Sequence, residues 1–261
     1  MKPIALLPGC VLTLAGISLA PWGAAMAAPS VQDIVAKNVA ARGGQTAWRN
    51  VQTLTFEGTL DAGGKPSHDL PFILREKRPH KNRLEIVFKD QTAVQVYDGS
   101  QGWKVRPFLN RNEVEPFTAA EEKIATAADE LDGALMDYQA KGTRITLAGT
   151  EPVDGHPAYK LHLTLKDGTQ RNLWVDASSW LEVKMDGAPR KLDGRMHNVE
   201  LYFKDYRAEQ GLNIAHLQET VVDGAKEPYK MTINKVSVNP PLADTLFTRP
   251  QLQAVADARH P

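Results

Sequence analysis

The sequence predicts a mainly β protein with a few helices, built as an antiparallel sheet with the helices laid against it. Three observations predict this class. Apolar residues alternate with polar ones through many short runs, the pattern of strands with one buried face. Turn dipeptides, above all Asp-Gly, separate those runs at close intervals. Only two stretches carry apolar residues at helical spacing, and each opens with a capping-box signature.

The chain has 261 residues, 42% of them hydrophobic and 24% charged, which suits one globular domain spanning residues 28–261. Residues 1–27 read as an export signal. Lys2 supplies the basic end, Ile4 to Ala20 is mostly apolar, and Ala25-Met26-Ala27 is a small-x-small cleavage site. The run is short and interrupted by Pro8, which argues against a membrane span. The expected location is therefore the periplasm. Cys10 is the one cysteine and leaves with the signal, so disulfides, cysteine nucleophiles and thiolate metal sites are not expected. Lys+Arg 31 balances Asp+Glu 31, and nothing in that balance steers the protein to nucleic acid or an anionic surface.

Ser30 and Asp33 mark the first helix start, with Val31, Ile34, Val35 and Val39 as its stripe and Gly43-Gly44 as its stop. A further turn is expected over Gln45 to Asn50, with Trp48 inward. Strands are expected at 51–60, 70–77, 84–88, 93–97 and 103–105, the first turning at Asp61-Ala62-Gly63-Gly64. A polar loop follows between Pro107 and Pro116. Thr118 and Glu121 open the second helical stretch, whose stripe is Ile124, Ala128, Leu131 and Leu135, with a break at Gly133. From Gly142 to Val238 the pattern is all strand, with turns at Asp154-Gly155, Asp167-Gly168, Asp186-Gly187 and Asp223-Gly224. About ten or eleven strands in one continuous meander are expected, with a poorly ordered tail over 251–261.

Catalytic and cofactor motifs are missing from the sequence. There is no Gly-x-Ser-x-Gly elbow, phosphate loop or close histidine pair. Acidic residues dispersed along the chain leave room for a hydrolase with two facing carboxylates, which would need a polar cleft. Arg78 stands apart because it ends an apolar strand just before Pro79. Period 2 puts Glu76, Leu74 and Phe72 on its face. Pattern alone leaves it either inward or at the sheet rim, paired with Glu76 or Glu85.

These features, in order, resemble the LolA/LolB-like periplasmic lipoprotein carriers, in particular the outer membrane lipoprotein-sorting proteins. The residues that carry the resemblance are an opening helix, a strand ending Lys77-Arg78-Pro79 with Arg83 after it, Tyr97-Asp98-Gly99 followed by Trp103, and the closing run Asp244 to Pro250. The resemblance implies an unclosed antiparallel β-barrel, a half-barrel, covered by helices. It implies a hydrophobic cavity for the acyl chains of a lipoprotein or for a free lipid, no cofactor and no covalent chemistry. An inner-membrane transporter and an outer-membrane acceptor would be the partners of a monomeric carrier. Arg78 matches the arginine that holds the carriers' lid closed, and Thr118 to Tyr138 is the expected lid. The candidate ligand-binding residues are Phe56, Phe72, Leu74, Leu84, Ile86, Phe88, Val94, Val96 and Trp103, with Arg78 at their edge. A related half-barrel domain occurs in periplasmic sensors that bind anti-sigma factors, which is the alternative function. The extended 190–230 region departs from the basic carriers and leaves the cargo open.

Overall fold

The computed structural model describes residues 28–61, 69–127 and 131–251. The expected export signal with Cys10, the turn residues 62–64, Ala128 and the tail beyond Gln251 lie outside them.

Helix α1 (Val31–Ala41) opens on a complete capping box between Ser30 and Asp33 and buries Ile34 and Val35. Helix α2 (Gln45–Arg49) buries Trp48. Strands β1 (Thr53–Asp61), β2 (Asp69–Lys77), β3 (Lys81–Phe88), β4 (Gln91–Tyr97), β5 (Gly102–Arg106) and β6 (Arg111–Pro116) follow. Helix α3 (Ala119–Ala127) then precedes strands β7 (Arg144–Val153), β8 (His156–Thr164), β9 (Gln170–Asp176), β10 (Glu182–Leu192), β11 (Arg195–Glu209), β12 (Leu212–Val222) and β13 (Tyr229–Val238).

The thirteen strands of the described residues belong to one sheet, ordered β6-β5-β4-β3-β2-β1-β13-β12-β11-β10-β9-β8-β7. The expected continuous meander is instead two meanders, β1–β6 and β7–β13, running outward from a shared centre. Antiparallel pairing of β1 with β13 joins them, from Leu54↔Val238 to Asp61↔Lys230. The β6–β7 connection carries α3 and the turns of 131–142, so the chain leaves one edge of the sheet and re-enters at the other.

Two turn expectations fail for local reasons. The stretch between Pro107 and Pro116 is a short 3-10 turn followed by β6, which pairs with β5 through Trp103↔Pro116 and Lys104↔Glu115. Pro116 is tolerated because β6 is an edge strand. Asp186-Gly187 does not turn. The Asp186 carboxylate accepts hydrogen bonds from the Asn172 amide and side chain on β9, and β10 runs on to Leu192 before turning at Asp193-Gly194.

The sheet curves, and its concave face holds two apolar clusters. One gathers Trp48, Leu54, Phe56, Phe72, Leu212, Ile214, Ile233 and Val236 at the sheet centre. The other packs Ile34 and Val35 of α1 on Leu161, Leu163, Leu173 and Val175 of β8 and β9. The opposite, convex face is covered near β3–β5 by the C-terminal run, where Phe247 packs on Val94 and Val96.

The β1–β13 seam requires Gly58. The register shifts there, and a Cβ on Gly58 would lie 1.9 Å from the carbonyl oxygen of Thr232. Gly58→Ala is therefore expected to lower unfolding stability by about 1–3 kcal/mol. Urea denaturation measures this, and an unchanged midpoint would show that the seam can spread without cost.

Candidate functional site

The site is a cavity of about 240 Å³ between the concave face and the segment that crosses it. Its floor comes from the two sides of the seam. Leu54, Phe56, Leu74 and Glu76 belong to β1 and β2, and Met231 and Ile233 to β13. Ile214, Ala215 and Gln218 of β12 and Phe203 and Tyr206 of β11 extend it. Trp48, Arg42 and Leu131 roof it, and Glu182 and Asn213 complete the lining. Phe203 and Tyr206 are three residues apart, an odd spacing in a strand, yet both reach one face as the sequence pattern suggests. Asp205 adopts a left-handed conformation (φ 53) between them, which reorients the strand so that both reach the cavity.

Pair registers decide which expected residues face this side, because directly opposed residues share a face. Phe56 lies opposite Leu74, and Leu74 opposite Leu84. Phe72 lies opposite Ile86. These five are concave. Phe56 and Leu74 line the cavity itself, while Phe72, Leu84 and Ile86 pack in the adjoining cluster. Phe88 shares their face but sits at the far end of β3, edge to face with Phe108 at 6.0 Å. Val94, Val96 and Trp103 are a correction. Val94 opposes Glu85, Val96 opposes Arg83, and Trp103 opposes Val96, so all three are convex and lie under the C-terminal run. The buried alternation of β4 satisfies either face, and the covering run of 242–247 is remote in sequence.

The segment 131–142 forms irregular turns and anchors in both concave clusters. Leu135 enters the α1 cluster and the adjacent Met136 the central one, each fully buried. The expected helical stripe fails here: Ile124 is exposed, and the helix ends before Leu131. Gly133 (φ 80) lets the turn press onto Arg42, whose Nη1 would lie 2.7 Å from any Cβ there. That guanidinium donates to the carbonyl oxygen of Asp132 at 2.6 Å and stacks on Trp48. Asp137 accepts from Arg49 and Gln45 of α2, and the Arg49 hydrogen bond holds its carboxyl below the usual range.

Arg78 ties the strand end to this segment. Its Nη2 donates to Asp132 Oδ2 at 2.9 Å and its Nε to the Val51 carbonyl at 2.8 Å. Asp132 is 7% exposed, and its other oxygen accepts from Lys141 at 2.6 Å. Arg78 is thus neither a free rim residue nor the partner of Glu76. Glu85 instead pairs with Arg75 and Arg83 on the convex face. Helix α3 covers the next part of the concave face. Lys104 beneath it pairs with Glu121, and the Tyr97 hydroxyl meets Thr126 at 3.2 Å.

The cavity is not purely apolar, so the condition that would dispose of a two-carboxylate hydrolase is not met: Glu76 and Glu182 both line it. Their environments differ. Glu182 lies 3.7 Å from Arg42, and its backbone carbonyl accepts from the Tyr206 hydroxyl. Burial, followed by the charge of Glu182, pushes the Tyr206 hydroxyl up. Glu76 touches the cavity and so keeps some accessible surface, but protein encloses it, and burial pushes its carboxyl up to about 7.

These features define an unclosed antiparallel half-barrel with a roofed internal cavity. The same fold is found in a LolA superfamily protein from Nitrosomonas europaea, at 15% identity and a TM-score of 0.56, over 85% of this chain and 98% of that one. It is found in a putative outer membrane lipoprotein-sorting protein domain from Vibrio parahaemolyticus, at 13% identity and TM-score 0.53, over 85% and 97%. A DUF1329 family protein from Desulfovibrio piger matches at 17% identity and TM-score 0.55, over 85% and 98%. No family model and no curated protein matches the sequence. The chain has the LolA-like fold that its strand order resembled.

Two outcomes test this geometry. Arg78→Leu should cost about 1–3 kcal/mol and speed amide hydrogen exchange in 131–142 more than in β1 or β13. Uniform exchange would deny the tie its local role. Glu76 binds its proton more tightly folded than unfolded, so it weakens the fold as pH rises from its ordinary 4.5 to about 7, and by a constant amount above that. Relative to Glu76→Gln, wild-type stability should fall across that window by at most about 3 kcal/mol, with cavity water reducing the figure. Parallel stability curves for the two proteins would contradict it.

Proposed function

We propose that this protein is a periplasmic carrier that holds lipoprotein acyl chains or another lipid in the half-barrel cavity and moves them toward the outer membrane. The observation that carries the reading is the covered cavity on the concave face, whose floor includes Leu54, Phe56, Leu74, Phe203 and Ile233, with its cover tied down by Arg78 and Asp132. The names of the folded relatives, a lipoprotein-sorting domain among them, support the same class of cargo. Residues 1–27 act as the export signal in this reading, and 28–261 form the carrier domain.

The energetics suit a cover that must be displaced. Burial yields about 0.8 kcal/mol per CH₂, so a chain of ~15 carbons gains on the order of 12 kcal/mol. Such a gain would make release slow unless loading worked against a stable empty state. At about 240 Å³ the cavity is smaller than the ~300–1,000 Å³ of common ligand pockets. Loading therefore requires 131–142 to lift, which breaks the Arg78–Asp132 pair and withdraws Leu135 and Met136 from their clusters. Lipid binding offsets those losses, and the restored contacts help expel the lipid.

Mass spectrometry of the purified protein should find co-purified lipid, and delipidated protein should rebind it. Absence of lipid in both experiments would sink the carrier reading. Arg78→Leu should alter loading or transfer to an acceptor membrane while the protein stays folded, and an unchanged transfer assay would remove Arg78 from the mechanism.

A further inference from the structure

Arg42, Glu182, Tyr206 and Asn213 of the cavity lining can each be followed to what they bond. Arg42 donates to the Asp132 carbonyl, stacks on Trp48 and balances Glu182. The Tyr206 hydroxyl donates to the Glu182 carbonyl, and Asn213 Nδ2 donates to the carbonyl of Ala41. Glu76 differs. Among the described residues none donates a hydrogen bond to its carboxyl group or forms an ion pair with it, and burial is the one influence on its titration. Its neighbours across the strands are Leu54 and Asn82, and the apolar Phe56 and Leu74 line the same floor. A carboxyl group enclosed this way is costly to keep without a partner, and replacing it with an apolar residue would remove that cost.

We infer that Glu76 is the acceptor for a hydrogen-bond donor on the cargo, so that the cavity selects amphiphiles whose hydrocarbon chain ends in a hydroxyl or ammonium group. The inference rests on the carrier reading and narrows it from hydrocarbon burial to a polar contact. The lining charges point the same way. With Arg42 set against Glu182, an ionised Glu76 is the surplus charge, and a donor head neutralises or solvates it while the chain fills the space toward Phe56, Phe203 and Ile233. An ester or hydrocarbon placed there would strip water from the carboxylate and return nothing.

The test uses the delipidated full chain and three probes of equal chain length: 1-dodecanol, dodecylamine and methyl laurate, titrated by calorimetry. Wild type should bind the two donors about tenfold or more tighter than the ester. Glu76→Leu should bring the ratio near one. Glu76→Gln keeps an acceptor oxygen, removes the charge and adds an amide donor that an ester can accept from, so it should weaken the amine far more than the alcohol. Between pH 6 and pH 8, wild-type binding should tighten for dodecylamine and weaken for methyl laurate as Glu76 ionises. Arg42, Glu182 and Tyr206 face the same space, and His216 lies behind it, hydrogen-bonded to Ile233 and beside Glu209. All are unchanged in the variants, so the difference between proteins isolates Glu76.

Equal binding of all three probes by wild type would overturn the selectivity and leave the carrier reading standing. So would a donor preference that survives in Glu76→Leu. Failure of wild type to bind any of the probes would overturn both. Should Glu76→Leu fold poorly, the alcohol-to-amine contrast in Glu76→Gln decides the matter alone.

Discussion

Everything at the site depends on the pairing of β1 with β13. Without it the chain is two separate meanders, each with an open inner edge and half of an apolar face. The pairing brings Leu54 and Phe56 beside Val236 and Ile233, residues from opposite ends of the folded chain, and the cavity floor is the surface they share. It also fixes the approach to β1, where Asn239, just past β13, accepts from the Gln52 amide and donates to the Asn50 carbonyl. Arg78 bonds to the Val51 carbonyl in that same approach, so the tie to Asp132 is built on the seam.

A second constraint is the route between the edges. Crossing from β6 to β7 forces one segment across the concave side. Because it crosses there, Leu135 and Met136 can insert into different clusters and hold the two halves of the face under one cover. A cover made from the connection itself needs no extra domain. Its attachments among the described residues include these two apolar residues, Ala134 and Leu131 beside them, Asp132, and Asp137 with its partners on α2.

The sequence made the local signals legible and hid the distant ones. Capping boxes at Ser30 and Thr118 are readable because their partners lie three residues away, and both form. Strand parity placed Phe56, Phe72, Leu74, Leu84 and Ile86 on one face for the same reason. Parity could not say which face of β4 was concave, since Val94 and Val96 are buried on the convex side by Phe247. Nor could it reveal that Glu182, Phe203 and Ile214 reach the cavity, because β1–β13 pairing spans most of the chain. Glu76 lies on the face read for Arg78, where the pattern offers it only as one alternative partner of that arginine. Its enclosure depends on Trp48 and Leu131, which come from the helical side and the cover.

Asp132 has one further consequence. Its carboxylate is shared between Arg78, which stays with the sheet, and Lys141, which lies in the same segment as Asp132 itself. Were the segment to lift, as the proposed carrier requires, the acid would take a countercharge along, and the guanidinium left behind would still have the carbonyls of Val51 and Trp48 to bond. Neither ion would be stranded by the separation. A joint of this kind could come apart without the several-kcal/mol penalty of exposing an orphaned buried charge, and both halves would stay oriented for it to be remade, as the proposed carrier requires.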